Sequence, residues 1–115
     1  MSNAHGSKWI RPEKRLAVYT RDGFACLYCG TDAGVLTLDH VRPRELGGTH
    51  EADNLVTCCL TCNSQKQDMS MRAWFLALRD RGIDTAKMSA RIRKHVARPI
   101  DMKLGKQLRA NRRAA

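Results

Sequence analysis

Residues 26–67 read CLYCGTDAGVLTLDHVRPRELGGTHEADNLVTCCLTCNSQKQ, with a CxxC pair near each end and Asp39-His40 between them. Cys26 with Cys29, and Cys59 with Cys62, have the spacing that sets two thiolates on one tetrahedral metal, whereas a disulfide framework requires no such regularity. The 29 positions between Cys29 and Cys59 are enough for a strand, a loop and a return strand. Val35 to Val41, rich in β-branched and apolar residues, predicts the first strand, and Asn54 to Thr57 the second. Pro43, Gly47 and Gly48 make 42–53 a loop, so the two strands form a hairpin whose base one zinc clamps. Four thiolates fill that ion's coordination sphere and leave no place for water, so it is structural; a redox dithiol is the alternative. Cys58 enters such a site only by breaking the CxxC spacing and is assigned as a buried small apolar residue.

Helices are expected on both sides of this unit. Pro12 opens one over about 12–20, ended by Arg21-Asp22-Gly23. Cys59 to Gln67 forms a second. Ser70 caps a third, in which Met71, Trp74, Phe75 and Leu78 recur at helical spacing as a core stripe before Gly82. Asp84 caps a fourth through Met88, Ile92 and Val96, stopped by Pro99. A last piece from Asp101 to about Arg113 carries Leu104 and Leu108, with Gly105 as a weak point and a fraying end.

On the second helix Cys59 and Cys62 share one face, and Asn63 and Lys66, also three apart, share the neighbouring one. The first turn thus grips metal while an amide and an ammonium group face a cleft near the helix start, where an anion is favoured. Asp39 offers a carboxylate to a hard cation, and His40 an imidazole able to take a proton from water. Strand alternation points the two to opposite faces, so the strand must end or bulge here for both to serve one site.

The ordered set Cys26-x-x-Cys29, Leu38-Asp39-His40-Val41-x-Pro43, Gly47-Gly48, Asn54-Leu55 and Cys59-x-x-Cys62-Asn63-x-x-Lys66 resembles the HNH nuclease family over about residues 12–70. The resemblance implies that His40 is the general base and that Asp39 and Asn63 hold one catalytic Mg²⁺ or Mn²⁺. It implies that Asn54 braces the hairpin loop and orients His40, with a 5′ phosphate and a 3′ hydroxyl as products. Asn63 stands where the family name has its last His, a hard oxygen donor that cannot titrate. Arg42, Arg44 and Lys66 are candidates for phosphates flanking the cut, against a solvated-surface alternative. His50, in the loop after Gly47-Gly48, is expected in solvent, with an approach to the site as the alternative, and His5 and His95 have no assigned role.

Formal charge divides sharply along the chain. Residues 1–71 carry 8 Lys/Arg against 8 Asp/Glu, and residues 72–115 carry 13 against 3, so the whole net charge of +10 lies in the latter. Such an asymmetric basic block, including Arg91 and Lys94, suits a polyanion, because each neutralised phosphate releases counterions; a solvated helical face is the alternative. No apolar stretch is long enough to span a bilayer, and the expectation is a cytoplasmic protein. The opening Met1-Ser2-Asn3-Ala4 is left out of the fold reading.

Together these features predict an α+β chain: a ββα-metal, treble-clef-like core with a four-cysteine zinc site, an N-terminal helix and basic C-terminal helices. The nuclease domain is expected at 12–82 and the basic helical extension at 83–115. The expected partner is double-stranded DNA, bound by a monomer or weak dimer. The rival is a zinc-dependent nucleic-acid-binding module without catalysis, which would need none of Asp39, His40, Asn54 and Asn63.

Overall fold

The computed structural model describes residues 10–114; Met1–Ala4 and His5 lie outside it, as does the last residue of the end expected to fray. Pro12 at the first helical position, with its φ already set for a helix, starts α1 (Pro12–Arg21). β1 (Leu36–His40) and β2 (Leu55–Cys59) pair antiparallel, Leu36 opposite Cys59 and His40 opposite Leu55. Short 3-10 turns at Arg44–Leu46 and Ala52–Asn54 shape the connection. Then follow α2 (Leu60–Lys66), α3 (Met71–Asp80), α4 (Thr85–Val96) and α5 (Met102–Ala114). This is the expected mixed helix and two-strand architecture. Ser70 and Asp84 cap α3 and α4 through their side-chain oxygens, as their sequence positions predict.

The return strand runs two residues further than the sequence suggests, because Cys59 ends β2 and caps α2 at once. Its Sγ accepts the Cys62 N–H at 3.4 Å, so the chain passes from strand to helix at a thiol.

A two-stranded ribbon is marginal alone. Here apolar groups cover it on both sides. Leu38 and Leu55 pack with Ile10, Leu16, Val18 and Tyr19, joined by Leu108 of α5. Val56 and Cys58, one residue out of phase, pack with Leu27, Tyr28, Trp74, Leu78, Met88 and Ile92. The periodic stripe on α3 thus reaches the core at Trp74 and Leu78, 1% and 0% exposed.

The outer edge of β2 is closed by an ion pair and a loop. Arg21 Nε lies 2.8 Å from Asp22 Oδ1, with both side chains buried. The guanidinium also donates to the carbonyls of Ala52 (2.8 Å) and Leu55 (2.6 Å), while Asp22 Oδ2 accepts the Thr57 N–H at 2.9 Å. Leu27 N–H donates to the Thr57 carbonyl. The edge strand is left no free template for pairing. Breaking a buried pair of this kind by removing one partner costs about 3–5 kcal/mol.

Gly105 turns out to be a packing device and not a weak point. A Cβ there would lie 2.2 Å from the Glu13 carbonyl oxygen and 3.2 Å from Ala17 Cβ, so its bare backbone is what lets α5 lie against α1. The C-terminal segment also returns to the core through α4, where Arg91 Nη2 donates to the Leu27 carbonyl at 3.1 Å. No helix among the described residues is long and apolar enough to cross a membrane.

Gly105→Ala sets two effects against each other. Alanine gains about 1 kcal/mol of helix propensity, and overpacking costs about 1–3 kcal/mol or more. With backbone at 2.2 Å the clash wins, and urea unfolding is expected to show a net loss of about 1–2 kcal/mol. A variant more stable than the parent would contradict the close α1/α5 approach.

Candidate active site and cysteine cluster

The knuckle after α1 carries Cys26 and Cys29; the end of β2 and the first turn of α2 carry Cys59 and Cys62. Their four sulfurs lie within 4.8 Å of one another. Cys29 Sγ and Cys59 Sγ are 3.8 Å apart, far beyond a disulfide bond of about 2 Å. That separation equals the edge of a tetrahedron with metal–sulfur bonds of about 2.3 Å. The donor set and spacing therefore fit a metal ion and are compatible with structural zinc. Sulfur charge is supported from outside: Cys29 N–H donates to Cys26 Sγ and Arg81 Nη1 to Cys62 Sγ, both at 3.4 Å. The Cys62 thiol beside Cys26, aided by backbone N–H groups, holds Cys26 down to about 4. Cys58 is fully buried outside the cluster, and burial pushes its thiol well up.

One turn along α2, Asn63 and Lys66 face β1. Asn63 Nδ2 donates to Thr37 Oγ1 (3.1 Å) and to the Leu38 carbonyl (3.3 Å). Lys66 departs from its expected place. Its side chain is 1% exposed and lies 3.0 Å from Asp39 Oδ2, with a further bond to the His40 carbonyl at 3.2 Å. An ammonium group so enclosed is a counter-ion for a buried carboxylate and not a surface contact for phosphate. Tyr28 OH also donates to Asp39 Oδ2, at 2.5 Å. Burial raises the Asp39 carboxyl, while Lys66 and Tyr28 oppose that rise.

β1 does end at His40, without a bulge before it, and the neighbours divide accordingly: Asp39 meets α2 and Tyr28, whereas the His40 ring meets the loop. His40 Nε2 lies 2.9 Å from His50 Nδ1. His50 is therefore not the solvent residue expected. Lys14 Nζ holds its carbonyl at 2.7 Å, and Arg44 contacts its Nε2. Since arginine only donates, His50 Nε2 is the acceptor, neutral His50 carries its proton on Nδ1, and His40 Nε2 presents the lone pair. Burial, then the nearby His50, Arg44 and Lys66, push His40 down to about 4, so its imidazole is neutral at pH 7.

Asn54 closes the loop as a two-way brace. Its Oδ1 accepts the Arg42 N–H at 2.8 Å, and its Nδ2 donates to the carbonyls of Arg42 (3.1 Å) and Thr49 (2.8 Å). Gly48 allows this closure, because a Cβ there would sit 1.7 Å from the Arg42 carbonyl oxygen. Arg42 and Arg44 are exposed at the loop rim, and Arg91 and Lys94 lie on the exposed side of α4, away from this cluster in sequence.

Residues 26–74, which contain the four clustered cysteines, Asp39, His40, Asn54 and Asn63, match the family model for HNH endonuclease. That segment resembles an HNH endonuclease domain. Over 63 residues, 52% of this chain, the sequence is 40% identical to the CRISPR-associated endonuclease Cas9 of Actinomyces naeslundii. That stretch covers 6% of the relative's length. No solved structure matches the chain significantly. Tyr28, Thr37 and Arg81 escaped the sequence reading because none has a spacing signature; the fold brings them to the site from the segment after α1, from β1 and from the end of α3.

The cysteine geometry predicts one tightly held tetrahedral ion per chain. Co²⁺ substitution should produce the absorption of a thiolate tetrahedron, and Cys62→Ser should abolish it and unfold the domain, since metal and folding free energies are linked. Octahedral Co²⁺ spectra would contradict the four-thiolate site.

For His40 the sign is that of a depressed histidine. The unfolded chain binds its proton near pH 6.5 and the folded one only near 4, so the contribution to stability is complete above 6.5 and is lost as pH falls from 6.5 to about 4. An NMR titration should place the His40 midpoint near 4, and His50→Ala should move it up toward 6.5.

Proposed function

We propose that this chain is a metal-dependent endonuclease that hydrolyses phosphodiester bonds in double-stranded DNA, cutting one strand per active site. The observation that carries this reading is the placement of Asp39 and His40 as the last two residues of β1, with Asn63 of α2 packed on that strand, beside the four-cysteine cluster and inside the segment matched by the HNH family. The clamp is assigned to structural Zn²⁺ on Cys26, Cys29, Cys59 and Cys62.

Asp39 and Asn63 are assigned as holders of a catalytic Mg²⁺ or Mn²⁺. Both offer hard oxygen donors, and the Asp39 carboxylate already faces a cation, Lys66 Nζ at 3.0 Å, so positive charge is favoured there. When bound, that ion supplies charge stabilisation at the phosphate and the departing 3′ oxygen. His40, neutral at working pH, takes a proton from water as the water oxygen forms its bond to phosphorus. The bond from phosphorus to the 3′ oxygen breaks, and that oxygen takes a proton from solvent. A 5′ phosphate and a 3′ hydroxyl result. Asn54 keeps the loop closed, and His50 donates to His40 until water or phosphate displaces it.

Arg42 and Arg44 at the rim are assigned to phosphates beside the cut, and Arg91 and Lys94 to more distant ones. The functional division follows: 12–82 for chemistry, 83–115 for affinity, in a cytoplasmic monomer or weak dimer. Because Asn63 cannot titrate, activity should have a single acid limb from His40.

The deciding assay is conversion of supercoiled plasmid with Mg²⁺, with Mn²⁺ and with neither, comparing wild type, His40→Ala and Asn63→Ala. Expected are metal-dependent nicking by wild type, linear product only later, and a loss of at least about 100-fold in both variants, the scale of removing a general base. Unchanged cutting by His40→Ala would remove its assigned role. No cutting under any condition, with a salt-sensitive gel shift, would favour the non-catalytic binding module.

A further inference from the structure

The first turn of α1 carries two adjacent cations with different destinations. Lys14 Nζ holds the His50 carbonyl and so belongs to the active-site loop. Arg15, the next residue, lines a cavity of about 410 Å³ together with Pro12, Leu16, Arg109 and Arg112. Successive helical residues diverge by about 100°, so the cavity and the loop contact start from neighbouring residues on adjoining faces of α1.

Its chemistry is that of an anion site with an apolar floor. Three guanidinium groups stand against one carboxylate, Glu13, whose Oε2 lies 2.6 Å from Arg109 Nη1 and fixes that side chain in place. Arg15 and Arg112 converge closely enough that both favour ionisation of the Tyr19 hydroxyl, against the burial that raises it. Gly105, by allowing α5 to lie on α1, is what brings Arg109 and Arg112 opposite Arg15. The volume is within the range of about 300–1,000 Å³ common for ligand sites, enough for a phosphodiester with its sugar.

We propose that this α1/α5 cavity is a binding subsite for a backbone phosphodiester of the nucleic-acid strand that passes the His40 loop. Arg15 and Arg112 are its contacting cations, and Arg109 is the pre-set third. A polymer with phosphates at regular intervals is the anion that profits from a site beside a nuclease centre, since one strand spans both. The subsite rests on the nucleic-acid reading above but not on catalysis.

Two measurements test it. In the first, wild-type protein is titrated with thymidylyl-thymidine, a single phosphodiester, and with inorganic phosphate, while the arginine Nε–H resonances are followed by NMR. Saturable shifts at Arg15, Arg109 and Arg112 are expected with the dinucleotide; their absence overturns the subsite, and equal shifts with phosphate alone reduce it to a general anion site. In the second, affinity for a 20-bp duplex without added Mg²⁺ is measured against NaCl for wild type, for Arg15→Ala with Arg112→Gln, and for a charge-matched Arg72→Gln with Lys87→Gln pair. The cavity variant should bind about 10-fold more weakly, with the log–log salt slope reduced by about 1–2, one per lost phosphate contact. Loss no greater than in the charge-matched pair overturns the proposal. Guanidinium shifts without any duplex binding would instead mark failure of the nucleic-acid reading while retaining a phosphodiester-competent cavity.

Discussion

Four sulfurs within 4.8 Å are the constraint on which the rest of the molecule depends. They join the segment after α1, the last residue of β2 and the first turn of α2, and so pin the end of a core that Leu27, Tyr28, Val56 and Cys58 share. A chain of 115 residues has a thin core, and a two-stranded sheet does not stand unaided. Four thiolates brought together without an ion would repel, so without one some of the sulfurs stay protonated: burial pushes Cys29 up, and the neighbouring Cys26 sulfur pushes Cys62 up. The Arg81 bond to Cys62 Sγ is a partial answer from the protein itself. A cation at the centre is the full one.

With α2 anchored at its first turn, the direction of its next turn is set, and Asn63 and Lys66 meet β1 at Thr37, Leu38 and Asp39. Asp39 is 2% exposed, an expensive place for a carboxylate. Tyr28 and Lys66 offset that cost by a hydrogen bond and a charge. A buried carboxylate destabilises the fold unless a positive group lies beside it, and Lys66 is that group. The same burial that makes the group expensive removes water from around it, which strengthens any electrostatic interaction it makes.

Local chemistry made much of this legible. Spacing alone located both cysteine pairs, the strands, the helical stripe through Trp74 and Leu78, and the caps at Ser70 and Asp84. Asn54 was read correctly as the loop's brace in its contacts. What sequence could not supply were distances closed by the fold. His50 looked like a loop residue because its proximity to His40 exists only once Asn54 and Gly48 close the turn. Lys66 looked like a surface cation because helical spacing puts it beside Asn63 but cannot report that β1 covers it. Gly105 looked like a weakness because propensity knows nothing of the helix lying against it.

The placement of reactive groups follows from how the sheet is covered. α1 and α5 pack one face; the knuckle, α3 and α4 pack the other; and the β2 edge is closed by Asp22 and Leu27. At the hairpin's end, where β1 stops at His40, this cover thins. Exposure rises along the chain from that point: Asp39 is buried, His40 half-buried, and Arg42 and Arg44 exposed. The proposed roles, a buried carboxylate, a half-buried imidazole and exposed guanidinium groups, each fall where that gradient suits them. A six-residue segment thus supplies three solvent environments without a deep pocket. That is the physical reason the proposed chemistry falls at one strand end, and the reason the cations assigned to phosphate lie on its rim and on the helices that cover it.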